Sequence, residues 1–135
     1  MTTKQAAGPF EVKLNPQPLS EVAGSSGLGR MSLDKKYHGD LEATSQGEML
    51  AFRSAVQGSA GYVAMETVNG TLHGHAGSFV LQHSSTMTRG APTQSITVVP
   101  DSGTGNLAGL AGSLVINIVE GRHSYQFDYI LAENA

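Results

Sequence analysis

Apolar and polar residues alternate with a period of two along most of the chain, and almost nowhere with the spacing of an amphipathic helix. Phe10, Val12 and Leu14 alternate with Glu11 and Lys13, predicting a first strand that ends at Pro16 and Pro18, since proline cannot donate to a ladder. Residues 20–29, with Gly24-Ser25-Ser26-Gly27 at their centre, read as a loop. Met31, Leu33, Lys35 and Tyr37 then share one face of a second strand. A two-residue turn at Gly39-Asp40 sets His38 opposite Leu41 and opens a strand over 41–45. Met49-Leu50-Ala51-Phe52 reads as a further short strand, turned back by Gln57-Gly58-Ser59.

The longest alternating stretch, 60–87, predicts a hairpin around His73-Gly74-His75-Ala76. Pairing Leu72 with Gly77 brings Glu66 directly opposite His83, with both side chains on one side of the sheet. One face carries Tyr62, Ala64, Glu66, Val68, Phe79, Leu81 and His83 and is the more apolar, so it is expected to point inward. Two registers are open for the strand before it. One pairs Arg53 with Tyr62, and the other pairs Glu48 with Glu66, which would set two carboxylates beside His83.

Ile96 and Val98 continue the inner face after Arg89-Gly90-Ala91-Pro92, and a Gly-rich connection fills 100–112. A last hairpin turns at Gly121-Arg122, with Ile118 expected opposite Tyr125, Ile116 opposite Phe127 and Leu114 opposite Tyr129. The chain is expected to fray beyond Ala132. Eight or nine sequential strands without helices predict an all-β fold, an antiparallel up-and-down barrel of about eight strands spanning 1–135 as one domain. Closure removes the strand edges that would otherwise template aggregation, and eight strands leave room for side chains or one small ligand.

Composition narrows the function classes. The net charge is -3, from 8 basic and 11 acidic residues, and only Lys35-Lys36 are adjacent basic residues, so a phosphate-binding stripe for nucleic acid is not expected. With no cysteine, thiolate metal sites and cysteine nucleophiles are excluded. MTTKQAAGPF lacks the apolar core of a secretory signal, and no run of about 18 apolar residues occurs. The expectation is a cytoplasmic protein without a membrane partner.

The candidate chemistry lies at Glu66 and His83. A carboxylate that orients an imidazole inside an apolar barrel makes a general acid or base; the same pair also serves as a buried hydrogen bond in which each group satisfies the other. His73-Gly74-His75 has the spacing that opens many metal sites, but Gly74 marks a turn and no third ligand follows, so no metal is expected. Gly103-Thr104-Gly105-Asn106-Leu107-Ala108 resembles a nucleotide loop only loosely, with no following helix, and no G-x-S-x-G elbow occurs. No cofactor is called for. Lys35 and Arg53 are expected at the barrel ends, reaching solvent.

The segments ETVNGTLHGHAGSFVLQH at 66–83 and VVPDSGTGNLAGLAGSL at 98–114, with GPFEVK at 8–13, resemble a bacterial family of unknown function over essentially the whole chain. The resemblance implies an allene oxide cyclase-like barrel, the architecture of plant dirigent proteins and some bacterial cyclases, and it carries no catalytic residue across. Two functions follow. One is an isomerase, cyclase or lyase of a small apolar molecule, with His83 as acid/base, Glu66 orienting it, and Tyr62, Phe79, Leu81, Val98, Tyr125, Phe127, Tyr129 and Glu48 around the ligand. The other is a non-catalytic carrier of such a molecule. Outer-face Val63, Met65, Val80, Val115 and Val119 suggest a homo-oligomer.

Overall fold

The period-two segments become strands that pair strictly in chain order. In the computed structural model, which describes residues 3–132, they are β1 (Lys4–Gln17), β2 (Gly29–Tyr37), β3 (Leu41–Arg53), β4 (Ala60–Leu72), β5 (His75–Thr88), β6 (Ala91–Val98), β7 (Ala111–Val119) and β8 (Arg122–Ile130). All neighbours are antiparallel, and β1 pairs with β8 to close the barrel. Residues 41–45 and 49–52 belong to one strand, β3, which resolves the count at eight. The expected fraying beyond Ala132 lies outside the described residues.

Side chains fall on the predicted faces, but the pairings shift. Leu72 pairs with His75, not Gly77, because the β4–β5 turn has only two residues, His73 and Gly74, at φ 46° and 82°. This is the geometry of a type I′ turn, whose twist matches that of the flanking strands, and glycine adopts it without penalty. Glu66 therefore faces Leu81, and His83 faces Ala64. The same two-residue geometry at Glu120-Gly121 sets Ile116 opposite Tyr125, Leu114 opposite Phe127 and Ile118 opposite His123. Each correction is a slip of two residues, which preserves the faces while changing the cross-strand partners.

At the β2–β3 turn Tyr37 pairs with Ala43, so His38 is not opposite Leu41. Neither register considered for β3 against β4 holds: Arg53 pairs with Ala60 and Glu48 with Met65. That pairing puts Glu48 on the outer face. It is exposed and ion-paired to Arg30, and it stands beside neither Glu66 nor His83.

The two ends of the barrel differ. At one end the connection 99–110 folds inward over the lumen, where Leu107 and Leu110 are buried above Leu41, Leu72, Phe79, Phe127 and Tyr129. Its backbone is tied to β5: Thr104 N–H donates to the Ser78 carbonyl at 2.8 Å, and Val80 N–H donates to Ser102 Oγ at 3.0 Å. Phe127 stacks between Phe79 and Tyr129, with ring centroids 5.8 and 5.4 Å away. At the opposite end the inward-facing Leu14, Met87 and Ile118 are exposed. The barrel is thus plugged at one end and has an apolar mouth at the other.

Candidate functional site

Between plug and mouth, charged side chains cross the lumen. Lys35, Ser45, Glu66 and His83 are each at most 5% exposed. Strand parity turns all four inward, from β2, β3, β4 and β5 respectively. The inward positions of β3 beside them are small, Ala43, Ser45 and Gly47, so the long side chains of β2 pass over β3 to reach β4. Gly47 is the ladder partner of Glu66, and a Cβ there would collide with the Met65 carbonyl oxygen.

The Glu66 carboxylate gathers four hydrogen bonds. Oε2 accepts from His83 Nε2 at 2.6 Å and from Lys35 Nζ at 2.8 Å. Oε1 accepts from Ser45 Oγ at 3.0 Å and from the Tyr37 hydroxyl. An ionised carboxylate only accepts, so His83 carries its proton on Nε2, and Nδ1 is left without a protein partner among the described residues. Lys35 lies against two aromatic faces, its Nζ 5.2 Å from the Phe10 centroid and 5.8 Å from that of Tyr37.

Burial pushes the Glu66 carboxyl up, but the His83 hydrogen bond, the Lys35 charge and the remaining donors outweigh it and hold the group down at about 2. Glu66 is therefore a fixed anion at neutral pH. Burial, followed by the Glu66 charge, raises Tyr37 well above its ordinary value, so its hydroxyl stays a donor. Chemically, the network neutralises one buried cation and pins an imidazole ring with one nitrogen unspent.

Of the residues expected around a ligand, Leu81 is the ladder partner of Glu66, and Tyr62 lies on the mouth side of the network, its ring centroid 6.3 Å from that of His83. Ser85, the ladder partner of Tyr62, has a hydroxyl oxygen that is enclosed and has no hydrogen-bond partner among the described residues. Phe79, Leu81, Val98, Phe127 and Tyr129 are all buried in the hydrophobic core. Tyr125 is buried too, accepting from Leu41 N–H at 2.8 Å and donating to the His38 carbonyl at 2.7 Å. Arg53 is exposed at a strand end, as expected, whereas Lys35 is buried. His73 hydrogen-bonds the Tyr129 hydroxyl, and His75 Nδ1 lies 3.2 Å from the Leu72 carbonyl.

Sequence reasoning missed Lys35, Tyr37 and Ser45 as partners of Glu66. The readable signal was there: Lys35 and Tyr37 share the inner face of β2, next to a strand with three successive small inner positions, Ala43, Ser45 and Gly47. Outside the barrel, residues 19–28 wall a groove of about 680 Å³ against the outer face, lined by Leu19, Leu28, Leu50, Val63 and Met65 with the Arg30–Glu48 pair at its side. The backbone of the Ala64–His83 rung lies between this groove and the lumen.

These features define a class: a closed eight-stranded antiparallel barrel, plugged at one end, with a buried Lys-Glu-His network below an apolar mouth. A family model described as "Protein of unknown function (DUF3224)" matches residues 6–129, and the chain belongs to that family. A crystal structure of a DUF3224 protein of unknown function from Shewanella oneidensis MR-1 is 48% identical and superposes with a TM-score of 0.91, covering 98% of this chain and 100% of that one. No curated protein matches the chain.

Proposed function

We propose that the mouth of the barrel binds a small, largely apolar molecule and that His83 transfers a proton to or from it, with Glu66 orienting the ring. One observation carries the reading: Glu66 has all its acceptor capacity engaged and uses one bond to hold His83 by Nε2, leaving Nδ1 for a ligand. A purely structural pair needs only mutual satisfaction. The apolar rim of Leu14, Met87 and Ile118 supplies surface for the rest of the molecule, and holding a flexible molecule in one conformation provides much of the rate effect in such a site.

His83→Ala is expected to keep the fold and the binding of an apolar ligand while abolishing turnover and its pH dependence. Unchanged turnover of a found substrate in that variant removes His83 from the mechanism. The exposed apolar rim also favours a second reading, a carrier that does not turn its ligand over. In that case mass spectrometry of the denatured protein finds a retained ligand that emerges chemically unaltered after incubation.

A further inference from the structure

Resting on the mouth as the binding site, we infer that the ligand is a neutral carbonyl compound and that the reaction is a proton shift at the carbon next to that carbonyl. Charge limits what the floor of the mouth accepts. Lys35 and Glu66 cancel at the floor of the mouth, and neither is exposed to solvent that would screen an additional charge. A carboxylate or ammonium ligand with neutral His83 would bring an unbalanced charge against that floor. A neutral ligand leaves it balanced.

The donors decide the rest. Lys35 and His83 converge on the same oxygen, Glu66 Oε2, so an ammonium and an imidazole stand side by side. Glu66 takes one N–H of Lys35, and the other two have no hydrogen-bond acceptor among the described residues. Next to them is Nδ1 of His83, which has no hydrogen-bond partner among the described residues and is an acceptor when the ring is neutral. An unspent donor beside an unspent base matches a carbonyl oxygen and the C–H adjacent to it. Ser85 lies on the face of β5 shared with His83, two residues toward the mouth, and its hydroxyl has no hydrogen-bond partner among the described residues.

The step balances without any co-reactant. His83 Nδ1 takes the proton, the C–H pair becomes the C=C bond of an enolate, and the carbonyl π pair moves to oxygen beside Lys35. His83 is then a cation and the ligand an anion, so the site as a whole stays neutral. The proton returns either to the same carbon, giving exchange, or to a conjugated carbon further along, shifting the double bond. Lys35 acts here as the oxyanion donor.

The test uses β-tetralone and a β,γ-unsaturated cyclohexenone with the intact chain in D2O. Wild type is expected to accelerate deuterium uptake at the α-carbon, or conjugation of the enone, above free imidazole at equal concentration. Lys35→Met is expected to slow this by about 100-fold or more, the usual effect of removing an oxyanion donor, and His83→Ala to return it to background. Lys35→Gln, which keeps a donor to Glu66 without the charge, replaces Lys35→Met if that variant does not fold. Ketone binding, seen as shifts of the Tyr62 and Ser85 amides, without accelerated exchange overturns this inference alone, as do equal rates in the Lys35 variants. Failure of either ketone to bind at the mouth overturns the reading of the mouth with it.

Discussion

Glu66 is buried as an anion because four donors surround it, and removing it strands the Lys35 ammonium in a site 5% exposed. Glu66→Leu is therefore expected to cost about 3–5 kcal/mol, the range for breaking a buried pair by deleting one partner. Adding Lys35→Met should recover much of that loss, because the uncompensated charge is gone; urea midpoints of the two single variants and the double variant measure the coupling. Acid should act on the same group. The Glu66 carboxyl sits at about 2 in the folded protein against an ordinary 4.5. Its contribution is complete above the ordinary value and is lost as pH falls toward 2, amounting to about 3 kcal/mol. Unfolding curves between pH 6 and pH 2 test this: Glu66→Gln should remove this part of the acid sensitivity, and an equal slope in both proteins would contradict it. Both Glu66 and His83 were legible in the sequence, as polar exceptions on an apolar face. Their relative placement was not: the turn expected from the sequence sets them directly opposite, whereas the two-residue turn offsets them diagonally by two residues, an offset with no local signature.

Each hairpin of the β4–β8 meander except β6–β7 turns on two residues with positive φ, the second a glycine: His73-Gly74, Arg89-Gly90 and Glu120-Gly121. Gly74 has no atom within 4 Å of a prospective Cβ, so Gly74→Ala isolates backbone strain, and a loss of about 1 kcal/mol is expected in thermal or urea unfolding. The weakest seam is β6–β7, where Thr97 and Ser113 form the one ladder pair. Toward the mouth, the Gln94 amide stands in for a strand, donating to the Ile116 carbonyl at 3.2 Å and accepting from Ile116 N–H at 2.7 Å. Gln94→Ala should thus expose the Ile116 amide. Hydrogen exchange should show it losing protection selectively, while Leu114, deeper in the wall, keeps its own; an unchanged Ile116 amide would mean that the side chain closes nothing. Alternation located the strands, yet turn length decided which rungs met. The sequence read as a four-residue turn at 73–76 because His75 and Ala76 are not obvious strand residues, although pairing with Leu72 and Thr71 makes them so.

Across the molecule, one end is sealed by chain and the other is not. The Gly-rich connection 99–110 crosses the lumen and buries Leu107 and Leu110, which leaves the Lys-Glu-His floor facing the opposite end, where inward residues reach solvent. The long 18–28 loop, which had every opportunity to cover that end, instead lies against the outer face of the barrel. The order of the strands, the face to which side chains belong outside the 47–56 segment and the polar exceptions on the inner face of the central hairpin follow from the amino-acid sequence, because side-chain direction along a strand is a local property with a period of two. Which rungs face one another, the burial of Lys35, the outward placement of Glu48, and the choice of plugged and open ends came only with the closed barrel. Register depends on turn geometry, and a side chain from β2 meets β4 only once the strand between them supplies Ala43, Ser45 and Gly47 in the right layer.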